Sequence, residues 1–222
     1  VCKHEVETPD APGKETAGVD LGICHFAAVA YSTKQADLYP GNRLNQDGYY
    51  FPKEIANCDH SDGEEATRLH AKWSERRTHF FHNLAKHIVQ RCAEEEVGRI
   101  NSGKLAGVRK DDNGNSKNWG KHGNLDLHGW AFDRFSNILE YNAKVEGTGI
   151  MEVSESNTSK TCCVCGRKDD NQRVERGLYP CEERNDAFNA DVNGAEKIRL
   201  DINNTESNSE SSASLDEHRS TG

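Results

Sequence analysis

Late in the chain, Thr158-Ser159-Lys160-Thr161-Cys162-Cys163-Val164-Cys165-Gly166 is followed by Tyr179-Pro180-Cys181 and then by Asn189-Ala190-Asp191-Val192-Asn193-Gly194-Ala195. A Cys-x-x-Cys knuckle closed by glycine brings two thiolates onto one tetrahedral metal and is half of a zinc ribbon. Cys162 and Cys165 are the natural pair, with Cys163 pointing away. Cys181 returns after a short hairpin as a third thiolate. A lone carboxylate, Asp191, then opens a helix of small residues.

The distribution of the cysteines decides between a disulfide scaffold and a metal site. Of the eight, Cys2, Cys24, Cys58 and Cys92 are scattered, and Cys162, Cys163, Cys165 and Cys181 are clustered. Clustering reads as a metal site in a reducing cytoplasm. No apolar run is long enough to span a bilayer, and no signal-peptide pattern opens the chain. The net charge of −9 argues against a nucleic-acid partner, because phosphate contacts need Lys and Arg. The acid is spread along the chain, however, whereas Lys160, Arg167, Lys168, Arg173, Arg176 and Arg184 gather around the knuckle. Basic side chains kept where they act, on a chain made soluble by acid elsewhere, fit a local nucleic-acid contact.

The 222 residues suffice for one full core and a small satellite module. Residues 1–16 are polar and read as a linker remnant; with Val1-Cys2-Lys3-His4-Glu5 opening the chain, they suggest a piece of a longer parent. Residues 17–31 predict a buried strand, a turn at Gly22 and a second strand. Residues 32–62 read as irregular, with Tyr39-Pro40-Gly41-Asn42 and Asp47-Gly48 as turn signals. One long helix is expected from about Asp62 to Glu96, with Leu69, Trp73, Phe80, Leu84 and Ile88 at helical spacing. A strand at 97–105, a polar loop to 124, a helix at 126–146 and a strand at 149–153 follow. The knuckle hairpin spans 158–186 and the last helix begins at Ala190. Residues 203–222 are Ser, Asn and Glu with almost nothing apolar, a composition expected to be disordered. The layout is α/β, compatible with a sheet covered by helices.

Gly18-Val19-Asp20-Leu21-Gly22 near the start, taken with residues 158–166 and 189–195, resembles the C-terminal half of the TnpB/OrfB proteins of insertion sequences. The resemblance covers roughly residues 17–200. It implies an RNase H-like (RuvC-like) mixed sheet flanked by helices, divided as 17–157 and 187–202 around a zinc-ribbon insertion at 158–186. It also implies descent from an RNA-guided, metal-dependent DNA endonuclease with DNA and guide RNA as partners. The family's N-terminal part, which grips the guide RNA and reads the target-adjacent motif, lies outside the resemblance.

Nucleases of this fold use two divalent metals about 4 Å apart, and Mg²⁺ or Mn²⁺ wants oxygen ligands. By resemblance, Asp20 is the first-strand aspartate and Asp191 the last. The family places a middle acid at the end of the strand after the long helix. There this chain reads Arg99-Ile100-Asn101-Ser102-Gly103-Lys104-Leu105, with Gly103 and Lys104 standing where the acid should be. Lys104 beside such a site would oppose metal binding by ~4 kcal/mol per unit charge at ~4 Å and an effective dielectric near 20. Impaired catalysis is therefore expected, with Lys104→Glu tightening Mn²⁺ binding. Asp111, Asp112 and Glu155 are the nearest acids in sequence, and Glu155, just past a strand end, is the better substitute. The family also expects a second Cys-x-x-Cys, where this chain has Cys181-Glu182-Glu183-Arg184. Arginine offers no lone pair to zinc, so Glu183, water or Cys163 would complete the site. His79, His82 and His87 on the long helix read as solvated or core-edge residues. Three outcomes stay open: a truncated nuclease that still binds DNA or RNA, a nuclease-dead binding module, and a decayed reading frame.

Overall fold

The computed structural model of the chain describes residues 8–22, 25–104, 127–154, 161–168, 177–181 and 183–200. The expected polar loop to 124 and the expected disordered tail lie outside the described residues, as does Glu155.

A five-stranded mixed sheet organises the chain. Its strands are β1 (Glu15–Leu21), β2 (His25–Tyr31), β3 (Ala36–Pro40), β4 (Val97–Lys104) and β5 (Gly149–Ser154), in the order β3-β2-β1-β4-β5. β1, β2 and β3 form an antiparallel meander, and β4 and β5 add in parallel to β1. The two parallel joins need crossovers, and helices supply them: α1 (Asn42–Ala56) and α2 (Glu64–Glu94) lead to β4, and α3 (Leu127–Val145) leads to β5.

The two faces of the sheet are built from different side chains. Ala17, Val19 and Leu21 of β1, Ala27, Val29 and Tyr31 of β2 and Ile100 of β4 all point to one face. They pack under Phe81, Leu84, Ala85, Ile88, Val89 and Cys92 of α2 and Phe132, Phe135 and Leu139 of α3, forming the main core. The alternate residues are small: Gly18, Ala28 and Ala30 are buried against a last helix, α4, spanning residues 190–200, through Ala195. A Cβ on Gly18 would sit 2.1 Å from the Ala195 carbonyl oxygen and 2.6 Å from the Arg199 amide nitrogen. The absence of a side chain thus lets α4 lie directly on the backbone of β1.

The region 32–62, expected to be irregular, instead holds β3 and α1. Tyr39-Pro40-Gly41 does mark a break, but between two regular elements. α1 escapes a periodicity reading because Asp47 occupies its inward face and Pro52 lies inside it. Asp47 is buried there and accepts from Arg76 Nε at 2.8 Å and Nη2 at 2.9 Å, which fastens α1 to α2. The remaining predicted strands and helices form within two residues of their expected ends. Among the described residues, no helix is long and apolar enough to cross a membrane.

Candidate carboxylate site and cysteine knuckle

The knuckle begins at Thr161, which bridges to Lys168, and turns through Gly166 at φ 74°, a conformation glycine adopts without strain. The Cys162 amide donates to the Arg167 carbonyl, and the Gly166 amide donates to the Cys162 carbonyl, each at 3.0 Å. A hairpin follows, made of β6 (Leu178–Cys181) and β7 (Asp186–Asn189), which pair antiparallel. Tyr179, 1% exposed, packs with Cys162, Cys181 and Ala190 as a separate small core.

The fold brings the Sγ atoms of Cys162, Cys165 and Cys181 within 4.8 Å of one another, with Cys165 and Cys181 3.7 Å apart. That spacing is far too long for a disulfide. It matches the roughly 3.8 Å between thiolates at the corners of a tetrahedron with ~2.3 Å bonds. The three sulfurs therefore fit a thiophilic metal such as zinc. Cys163 is not in the cluster, and burial, reinforced by Cys162 and Glu196, pushes its thiol up to about 11. Arg184, in the place of a fourth cysteine, is exposed in the β6–β7 turn, as is Glu183. Arg167 and Lys168 are exposed on the knuckle, while Lys160, Arg173 and Arg176 lie outside the described residues.

β7 runs straight into α4. Asn189 caps the helix: its Oδ1 accepts from the amides of Asp191 at 2.9 Å and Val192 at 3.1 Å. This fixes Asp191 in the first turn, where the helix dipole favours a carboxylate. One turn on, Gly194 lies against β1, and a Cβ there would be 2.4 Å from Asp20 Oδ2. Asp20 thus lies against α4 one helical turn after Asp191. His25 Nδ1 lies 2.7 Å from Asp191 Oδ2, with the two side chains 29% and 13% exposed. Asn193, 1% exposed, accepts from the Cys163 amide through Oδ1 at 2.9 Å and donates from Nδ2 to the Thr161 carbonyl at 3.0 Å. Knuckle and aspartate helix are one connected unit.

Strand register locates the position of the middle acid. Gly18 pairs with Asn101 and Val19 with Ser102, so the next step along both strands brings Gly103 beside Asp20. Asn101, in the α4-facing row, donates to the Arg199 carbonyl at 3.3 Å. Of the two positions expected in place of the middle acid, Gly103 and Lys104, the register sets Gly103 in the row beside Asp20. His25 went unassigned on sequence because a regular strand would turn it into the core. Its one signal was its nearness to the Asp20-Leu21-Gly22 turn.

A mixed sheet ordered β3-β2-β1-β4-β5, with an aspartate on β1, another opening the last helix and a cysteine knuckle just before that helix, defines a RuvC-like fold. Solved structures agree on the fold: a Cas12f1–sgRNA–target DNA complex superposes with a TM-score of 0.66 at 21% identity, over 88% of this chain and 51% of that one. A CRISPR-Cas12f ternary complex gives 0.65 at 22% identity, over 88% and 40%. Residues 1–109 match the OrfB_IS605 family model, described as "Probable transposase", and residues 132–198 match the Cas12f1-like TNB domain model. The chain is similar to the TnpB-like protein ORF457 of Acidianus two-tailed virus, 28% identical over 88% of this chain and 44% of the relative. It also resembles the TnpB-like protein MJ0751 of Methanocaldococcus jannaschii, 30% identical over 51% of this chain and 38% of the relative. The chain is thus similar to TnpB/OrfB proteins along most of its length, and it spans less than half the length of these two relatives.

Proposed function

We propose that this chain is the RuvC-like portion of a transposon-derived, RNA-guided DNA endonuclease, acting in the cytoplasm on DNA with a guide RNA as partner. The observation that carries this reading is Asp20 lodged against Gly194, one helical turn from Asp191. Two partly buried carboxylates facing the same turn suit one divalent cation with oxygen preference. Mg²⁺ or Mn²⁺ held there would supply charge neutralisation at a phosphodiester and activation of water. Asp20 and Asp191 would hold the ion, and the rigid seat of α4 on β1 would fix their separation. Glu155, directly after β5, whose Val153 pairs with Gly103, is the candidate for the third carboxylate. Zinc on Cys162, Cys165 and Cys181 would fix the knuckle. Lys160, Arg167, Lys168, Arg173 and Arg176 would contact the nucleic-acid backbone.

A second reading follows from Gly103 in the row beside Asp20. Without an acid there, the module binds nucleic acid and no cleavage follows. Mn²⁺-dependent cleavage of labelled single-stranded DNA separates the two. Cleavage that disappears in Asp20→Ala and in Asp191→Ala supports the nuclease reading. DNA retained without cleavage supports the binding module. Neither retention nor cleavage would end both readings and leave a decayed reading frame.

A further inference from the structure

We propose that His25 is a positioning residue of the Asp20–Asp191 cation site, holding the Asp191 carboxylate by donating from Nδ1 to Oδ2. This rests on the reading that those aspartates hold a divalent cation.

The argument begins with the ladder between β2 and β3. His25 pairs with Pro40 and Ala27 with Tyr39, so Phe26 is an extra residue opposite two consecutive partners, a bulge in β2. In an unbroken strand, positions 25, 27 and 29 share one face and 26, 28 and 30 the other. Ala27 and Val29 point into the main core, whereas Ala28 and Ala30 meet Ala195 of α4. Regular alternation would send His25 into the core and Phe26 toward α4.

The bulge reverses both. Phe26 is 2% exposed and lies among four rings, with centroids 5.7 Å from Phe80, 5.6 Å from Phe81, 5.3 Å from Phe132 and 5.1 Å from Phe135. His25 is turned out of that cluster and reaches Asp191 across a sequence separation of 166 residues. The phenylalanine cluster thus holds the bulge in place, and the bulge aims the imidazole. Pro40 has no N–H to give, so the ladder forfeits little where it is interrupted.

The chemistry follows from what a metal-binding carboxylate needs. A monodentate carboxylate can rotate about its terminal bond, and a hydrogen bond to one oxygen leaves the other aimed at the ion. Partners of this kind commonly set metal affinity by 10–100-fold. With glycine in the row beside Asp20, the affinity of this site depends more heavily on how well its remaining carboxylates are held.

The test is Mn²⁺ affinity of the full chain, read from the electron paramagnetic resonance of free Mn²⁺, with circular dichroism confirming the fold of each variant. Asp20→Ala and Asp191→Ala should lose the tight site. His25→Ala should weaken it by about 10–100-fold. His25→Leu, which fills the space without a donor, should behave like alanine. His25→Asn, whose amide N–H can stand near the Nδ1 position, should restore binding most of the way to wild type; a space-filling role would not show this rescue. Wild-type affinity in His25→Leu or His25→Ala, beside loss in Asp191→Ala, would overturn the inference and leave the cation reading intact. Failure of the wild-type chain to bind Mn²⁺, or binding indifferent to both aspartates, would overturn that reading and this inference with it.

Discussion

Asn193 bonds the knuckle at both ends of its amide while 1% exposed. Asn193→Ala strands the Cys163 amide and the Thr161 carbonyl, and should lower stability by about 1–3 kcal/mol in urea unfolding. An unchanged midpoint would mean that water replaces the amide at no cost. Asn193 could be noticed in the sequence as a neighbour of Asp191, but its role could not, because both of its partners are backbone groups 30 and 32 residues away. The same limit hid His25, whose placement follows from a single inserted residue in a ladder. The motif order singled out Asp20, Asp191 and three cysteines, and the fold gathers those cysteines into one cluster. A linear motif does not say which strand residues share a face, so it could not choose between Gly103 and Lys104 for the place of the middle acid. The register predicts that Gly103→Glu, and not Lys104→Glu, tightens Mn²⁺ binding, as read by the same resonance titration. Equal effects from both would show that β4 does not keep its alternation at its end.

At the scale of elements, α2 and α3 were visible because long apolar stripes outlast local noise, whereas α1 carries Asp47 on its buried side and Pro52 within it. Its inward carboxylate makes sense only once Arg76 of a different helix is beside it. The seat of α4 rests on Gly18, where a methyl group would collide with backbone atoms of α4. Gly18→Ala should therefore lift α4 off the sheet, raising amide exchange across residues 194–198 while α2 stays protected. The knuckle makes a separate prediction. X-ray absorption of the zinc-loaded chain should show three sulfurs and one lighter ligand, and Arg184→Cys should change this to four sulfurs with tighter binding. Chelation should speed exchange in the β6–β7 hairpin, whose buried core among the described residues is small: Cys162, Tyr179, Cys181 and Ala190, with Cys165 and Phe188 packed against them.

Over the whole molecule, the net charge of −9 leaves attraction for a polyanion to local groups. Retention of single-stranded DNA should accordingly fall steeply with salt. Replacing Arg167 and Lys168 with glutamine should reduce the slope of log affinity against log salt by about 1.4, or ~0.7 for each lost phosphate contact. An unchanged slope would move the interface off the knuckle. The α/β layout itself was legible because each face of the sheet writes its own composition into alternate residues, large on the core side and small under α4. One property of that layout shows in time and not in space. His25 and Asp191, 166 residues apart, leave the ribosome about ten to thirty seconds apart at 5–20 residues per second. During that interval β1, β2 and α2 can already fold, but Asp20 and His25 have no helix to face. Whatever chemistry this site performs is withheld from a nascent chain and begins only once the last helix has been translated.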